Sequence, residues 1–132
     1  YRFIYSLNLK EIKQFQEKGV EGYSDENVFI SNDLPHGGVL SEALVKIVVS
    51  HCGPFGALQS IASGIPLICR PGFMEQFYVS DLVVKQKLGI QISSDLKFGY
   101  LDAAIKEIDQ RSIEFHKNIA RVKAGFHGIE AT

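Results

Sequence analysis

The sequence predicts an α/β fold, a parallel β-sheet flanked by helices. Three observations carry the prediction. Short apolar, β-branched or aromatic runs recur along the chain, and amphipathic helix-length stretches separate them. The resulting order is β-α-β-α-β-α-β-α-β-α-α, and strands alternating with helices pair in parallel through right-handed crossovers. The stretch 46–76, KIVVSHCGPFGALQSIASGIPLICRPGFMEQ, holds one such unit complete. It reads as strand, glycine-bearing turn, helix, strand and a second polar loop.

The elements follow in order. Arg2–Leu7 (RFIYSL) is a short apolar strand. Asn8 is an N-cap with Glu11 three residues on, the capping-box spacing, and Leu9, Ile12 and Phe15 make a helix that Lys18-Gly19 ends. Asn27–Ser31 is the second strand. It opens into the loop Asn32–Gly38, and Val39–Ala43 is a short helix. Lys46–Ser50 is a β-branched third strand. Pro54 suits a first helical position, where a missing N–H costs nothing. The helix runs Phe55–Ser63 with Leu58, Ile61 and Ala62 on one face, and Gly64 stands at C′. Pro66–Cys69 is the fourth strand. Phe73–Lys87 is a helix with Phe77, Val79, Leu82 and Val83 on one side and Gly89 closing it. Ile90–Ile92 is the fifth strand. Tyr100–Ile108 and Ile113–Ala124 are the last helices, with Ile105, Ile108, Ile119 and Val122 expected inside.

At 132 residues, 45% hydrophobic and 22% charged, residues 1–132 read as one globular domain. A net charge of −1 gives no basis for nucleic acid or an anionic membrane as partner. No apolar run reaches the length of a membrane span, and no signal segment is visible. The two cysteines sit in a turn and a strand end, not in a ladder of spacings. No disulfide is therefore expected, Cys52 reads as structural, and a reducing, cytoplasmic compartment is the expectation.

The chemistry lies at one sheet edge. Asn32–Gly38, His51–Gly56 and Arg70–Gln76 all leave the carboxyl ends of strands, where such sheets place ligands. A helix that starts there points unpaired N–H groups and a positive dipole end into the crevice, a setting for phosphate. Gly53 and Gly56 lack side chains, so backbone can come close to a ligand, although close helix–strand packing also calls for small residues. His51 can add a ring hydrogen bond, or bond a nearby carbonyl. Glu75 beside Gln76 can grip vicinal hydroxyls, one accepting and the other donating, while Glu75 also suits a helix N-terminus on charge alone. Arg70 can pair with phosphate, although a surface salt bridge is the expectation, and His116 and His127 are expected at the surface. No His/Cys/Asp cluster has metal-ligand spacing, so no metal is expected.

His51-Cys52-Gly53, Ser60–Pro66 (SIASGIP), Pro71 and Glu75-Gln76, at these separations, resemble the donor-binding signature of UDP-dependent glycosyltransferases. These are two-Rossmann-domain (GT-B) enzymes. The resemblance reaches upstream to Pro35 and Leu40 and downstream to Leu82-Val83 and Gly89-Ile90. It implies a Rossmann-like domain, the C-terminal half of a GT-B enzyme. A first strand and helix and an N-terminal acceptor domain would precede it, so the chain reads as N-terminally truncated. It implies inverting transfer of a hexose, glucose by expectation, from a UDP-sugar to a small-molecule acceptor hydroxyl, with no cofactor. His51, Gly53, Phe55 and Gly56 would meet the pyrophosphate, Gln59 the ribose, and Glu75 and Gln76 the sugar. Leu34 and His36 would lie near the base. None of these is catalytic, because the family's general base belongs to the acceptor domain.

Several positions depart from the family pattern. Asp33 replaces a Trp that stacks uracil, Pro54 replaces a second Trp, and Phe55-Gly56 replaces Asn-Ser. Gln59 stands where a ribose-binding Glu is usual, so it either keeps a neutral ribose contact or is a plain exposed helix residue. Gly56 is similar to the animal-type H-G-G-x-x-G turn. These departures keep open a non-catalytic relative used for partner binding or regulation. A two-chain enzyme with a separate acceptor subunit is a further reading.

Overall fold

The structure is a computed structural model that describes residues 3–6, 28–31, 45–93 and 100–130. The chain divides into two compact units, Tyr1–Val39 and Leu40–Thr132. In the first, β1 (Phe3–Ser6) and β2 (Val28–Ser31) pair in parallel, Phe3 opposite Val28 and Ser6 opposite Ser31. The helix expected after Asn8, the loop Asn32–Gly38 and the helix Val39–Ala43 lie outside the described residues, as do Leu34 and His36.

The second unit carries a three-stranded parallel sheet in the order β3-β4-β5. These strands are Val48–Ser50, Leu67–Cys69 and Gly89–Gln91. Helices α1 (Pro54–Ala62) and α2 (Glu75–Lys85) form the crossovers. After β5 come α3 (Tyr100–Gln110) and α4 (Ser112–Glu130). Strands β3 and β4 are shorter than their sequence patterns, and β5 keeps its expected length but starts one residue earlier.

The middle strand explains the apolar run. Leu67, Ile68 and Cys69 are all fully buried, as a central parallel strand requires. Each such aliphatic side chain is worth roughly 1.5–3 kcal/mol of burial. Around them Cys52, Ala57, Ile61, Val83, Leu88 and Ile119 complete one cluster, with Val48, Val79 and Val122 packed against it. Ile105, Ile108 and Phe115 extend the buried set to α3 and α4.

The buried helix faces differ from expectation. In α1 the inward residues are Ala57, Ser60 and Ile61, while Leu58 is 48% exposed and Ala62 is exposed. In α2 they are Gln76, Ser80 and Val83, while Phe77 and Leu82 are exposed. The reason is a local one in α1. The Ser60 hydroxyl donates to the Ile65 carbonyl at 2.8 Å. A polar side chain that serves the helix end thus occupies an inward position that pattern reading gives to an apolar residue.

That helix end closes as the sequence predicts. Gly64 is left-handed (φ 78°), Gly64 N–H donates to Ile61 and Ile65 N–H to Ser60. This is the Schellman pair of bonds. Helix α2 makes the same pair, Lys87 N–H to Val84 and Leu88 N–H to Val83, but its left-handed residue is Lys87 (φ 58°). Gly89 therefore does not close the helix. It is a strand residue, and a Cβ there would meet the Leu67 carbonyl oxygen at 2.0 Å. Glycine is required by the close approach of β4, not by a turn.

A second correction concerns the cysteines. Cys52 and Cys69 form a disulfide with Cα atoms 5.4 Å apart, within the usual span. Sequence spacing gave no sign of it, because the pairing depends on two strand ends being neighbours in space. At the α3–α4 junction, Arg111 bonds Glu107 at 2.7 Å and Glu114 at 3.0 Å, and lies 4.9 Å over the Phe115 ring. Its hydrogen bond holds the Glu114 carboxyl below the usual carboxylate range.

Two stability outcomes are expected. The disulfide spans 17 residues, so reducing it should lower the unfolding free energy by about 3 kcal/mol. Denaturant curves with and without dithiothreitol test this, and an unchanged midpoint would count against a structural role. Lys87→Gly should raise stability by about 1 kcal/mol, because only the left-handed cap conformation changes its cost. A lower melting temperature for that variant would contradict it.

Candidate functional site

The carboxyl ends of β3 and β4 are adjacent because Ser50 pairs with Cys69 in register. The ladder continues past them, with Arg70 N–H donating to the Ser50 carbonyl at 2.8 Å. Residues 51–53 leave one strand and 70–74 the other, so the two expected loops start side by side.

The first loop is a tight turn into α1. The Ser50 Oγ accepts from the Cys52 N–H at 3.0 Å, and Cys52 takes a left-handed conformation (φ 61°). This reverses the chain so that Gly53 becomes the N-cap and Pro54 the first helical residue. No side chain caps the helix. The first amide to find a helical acceptor is that of Ala57, to Gly53 at 3.0 Å. Pro54 has no N–H, so the amides of Phe55 and Gly56 point out of the N-terminus with the positive dipole end. His51 is exposed beside them, and Cys52 is fully buried under the turn.

The two glycines are not demanded by packing. A Cβ at Gly53 or Gly56 would have nothing within 4 Å. Phe55 projects its ring outward, 84% exposed. Gln59, one turn further along α1, is also exposed.

The second loop is held differently. Gln76 is only 8% exposed, and its Oε1 accepts from Gly72 N–H at 2.9 Å and from Phe73 N–H at 3.4 Å. Gln76 N–H donates to the Phe73 carbonyl, and Phe77 N–H to that of Met74. Met74, the N-cap of α2, has φ 48° and ψ −122°, a conformation L-residues rarely take. Such a residue costs on the order of 1–3 kcal/mol and persists only where its surroundings fix it. Glu75 follows it directly and is exposed. The sequence-named pair thus has two settings: Glu75 in solvent at the helix N-terminus, Gln76 turned into its own loop.

Beside this loop an open depression of about 400 Å³ is lined by Pro71, Phe77, Gln91, Ile92 and Ser93. Arg70 is exposed, and so is His116, which bonds the Ser112 carbonyl. The side chain of His127 lies outside the described residues. Among the described residues no three His, Cys, Asp or Glu side chains gather to hold a metal ion. No described helix is long and apolar enough to cross a membrane. Sequence reading missed Ser50 and Met74. A serine one residue before the turn was a legible signal, since hydroxyls favour such turns. Nothing in the residue type announced Met74.

Comparison with known proteins matches residues 12–126 to the family described as UDP-glucoronosyl and UDP-glucosyl transferase. The chain belongs to this family. Among its relatives are the flavonol 3-O-glucosyltransferase UGT76E12 of Arabidopsis thaliana and an anthocyanidin 3-O-glucosyltransferase of Manihot esculenta. The first is 35% identical over 72% of this chain and 21% of the relative. The second is 34% identical over 69% of this chain and 40% of the relative. The chain therefore spans well under half of these curated relatives. Among solved structures, Os79 from O. sativa in complex with UDP and deoxynivalenol-3-glucoside matches with a TM-score of 0.81. Identity there is 22%, over 93% of this chain and 30% of that one. The fold is thus a parallel sheet flanked by helices of the kind found in this family of transferases, as the signature residues implied.

One outcome at this site needs no ligand. Gly56 is in the first turn of α1 with open space around it. Gly56→Ala should therefore stabilise the chain by roughly 0.5–1 kcal/mol. A loss of stability in thermal unfolding would mean the position is packed after all.

Proposed function

We propose that this chain supplies the donor-binding part of a UDP-glycosyltransferase. The reaction would move a hexose, glucose first among candidates, from a UDP-sugar to a small-molecule hydroxyl. One observation carries the reading. The uncapped N-terminus of α1 opens beside His51, at the same sheet edge from which the Glu75 loop departs. Family membership supports it, as do relatives named as glucosyltransferases and a structural neighbour titled as a complex with UDP.

In this reading the diphosphate takes the amides of Phe55 and Gly56 and a ring hydrogen bond from His51. Open space at Gly53 and Gly56 lets phosphate oxygens reach the backbone. Gln59 faces the ribose, and Glu75 accepts from sugar hydroxyls. In the transfer, the acceptor oxygen attacks the anomeric carbon from the face opposite the diphosphate. The glycosidic bond to phosphate breaks and the electron pair leaves on UDP. The helix N-terminus and His51 stabilise the charge that builds there, so the reading invokes no metal. The attacking hydroxyl also needs a general base, and no residue at this edge is assigned that role. The acceptor and its domain complete the proposal.

Calorimetric titration of the purified chain with UDP tests it. Saturable binding is expected, weakened by about 1–3 kcal/mol in His51→Ala, the worth of a hydrogen bond to a charged group. If His51→Ala binds as tightly as the native chain, the diphosphate does not sit at this turn. A folded chain that binds no UDP would favour the non-catalytic relative, in keeping with the altered residues Asp33, Phe55 and Gln59.

A further inference from the structure

We propose that the Cys52–Cys69 disulfide is a redox lock on the turn into α1. Closed, it holds residues 51–53 in the shape that presents the α1 amides. Opened by a dithiol, it releases that turn and lowers the affinity for UDP. The ligand half of this inference rests on the functional reading above; the turn half does not.

The placement of the bond carries the argument. Cys52 lies between His51 and Gly53, the N-cap of α1. Cys69 is the last residue of β4, fully buried in the middle strand of its sheet. The bond therefore ties the first loop of the site to the strand that is held on both sides. It does so where the backbone needs support, because Cys52 is left-handed (φ 61°), a conformation unfavourable for most L-residues. Among the described residues Ser50 is the other support. Its Oγ accepts the Cys52 N–H at 3.0 Å and donates to the Cys52 sulfur at 3.6 Å. The net worth of one hydrogen bond is of the same order as the cost of the conformation. With the disulfide closed, the turn is held from two sides. With it open, the remaining terms nearly cancel. Packing does not replace the bond at the next residue, since a Cβ at Gly53 would meet nothing within 4 Å.

The chemistry is a thiol–disulfide exchange confined to this pair, because the chain has two cysteines. A thiolate of the dithiol attacks one sulfur, the S–S bond breaks, and its electron pair leaves on the other sulfur, which takes a proton. The second thiol of the reductant then displaces the first sulfur, which is also released as a thiol. Two electrons and two protons pass to the cysteine pair, and the dithiol ends as a disulfide. Both cysteines are fully buried, so attack follows an opening on the side of the turn. Coupling of this kind is reciprocal: whatever factor the closed bond adds to UDP affinity, bound UDP adds to the stability of the closed bond. A loaded site therefore resists reduction and an empty one yields to it.

The test uses the native chain, oxidised or reduced by dithiothreitol, and Cys69→Ala, which removes the tether and leaves the sequence of the turn intact. The first measurement needs no ligand. A left-handed residue brings its amide proton close to its own α-proton. The nuclear Overhauser effect between the two should be strong at Cys52 in the oxidised chain, and should fall in the reduced chain and in Cys69→Ala. The second measurement is calorimetry with UDP. Reduction should raise Kd about tenfold, within the usual range of such couplings. Cys69→Ala should bind like the reduced native chain and should not respond to dithiothreitol. In a buffer of reduced and oxidised dithiothreitol, saturating UDP should shift the native pair towards the disulfide by the same factor.

The outcomes separate the two halves. An unchanged Overhauser effect at Cys52 on reduction overturns the lock on the turn. Equal affinity for UDP in the oxidised and reduced chains overturns the coupling, as does a Cys69→Ala chain that binds like the oxidised one. A reduced chain that unfolds as a whole would show a general staple and also overturn the lock. A native chain that binds no UDP in either state, while Cys52 responds as stated, refutes the functional reading and leaves the lock on the turn standing.

Discussion

Everything at the candidate site depends on one register, Ser50 of β3 opposite Cys69 of β4 in a parallel pair. Parallel pairing sends both strand ends to the same edge, and the register sets the two loops level with each other. Three interactions secure it there. Arg70 N–H bonds the Ser50 carbonyl, Val48 N–H bonds the Pro66 carbonyl, and the Cys52–Cys69 disulfide joins one loop to the root of the other. A slip of one residue would turn every side chain to the opposite face. Leu67 would change places with Ile68 in the core, and Cys52 would no longer face Cys69.

From this common origin the two loops develop opposite chemistry. The first leaves its amides unclaimed. A glycine N-cap brings no side-chain oxygen to the helix start, so the donors of Phe55 and Gly56 and the positive dipole end face outward. The second consumes its amides internally, on Gln76, and presents a carboxylate. One loop therefore suits an anion and the other suits hydroxyl groups. A ligand with a diphosphate at one end and a sugar at the other presents those two chemistries in that order. The match depends on polarity as much as shape: were α1 capped by a serine, its donors would be partly spent before any ligand arrived.

How much of this could be read in the sequence varies with the range of the interaction. Pro54 at the helix start and Gly64 after its end were legible, because both effects are local and tied to residue type. The parallel pairing of the strands was legible from alternation of elements, and the shared edge of the two loops followed from it. What escaped depended on neighbours distant in sequence. The disulfide needs β3 and β4 side by side. Gly89 needs the Leu67 carbonyl close by, so its glycine looked like a helix stop. The inward face of α1 was misread because Ser60 works as a carbonyl partner, a role that hydrophobic pattern cannot register. Gln76 was singled out for its chemistry, and its acceptor turned out to be directed at the loop.

Three non-glycine residues in the described chain adopt positive φ, and their placement is informative. Lys87 is a helix cap, where the conformation closes two hydrogen bonds and glycine would serve better. Cys52 and Met74 stand elsewhere, one in each loop of the candidate site. Both are fixed by side chains next to them: Cys52 by the Ser50 hydroxyl and the disulfide, Met74 by the bonds of its own loop through Gln76. Local rules broken at a site and compensated on the spot are the mark of geometry retained for a purpose other than stability. In the first loop the reversal at Cys52 is what turns Gly53 into an N-cap and exposes the amides behind it. In the second the backbone at Met74 is what starts α2 at Glu75. The two strained residues and the two proposed ligand contacts are therefore the same local structures, and relaxing either backbone would move the group that the ligand meets.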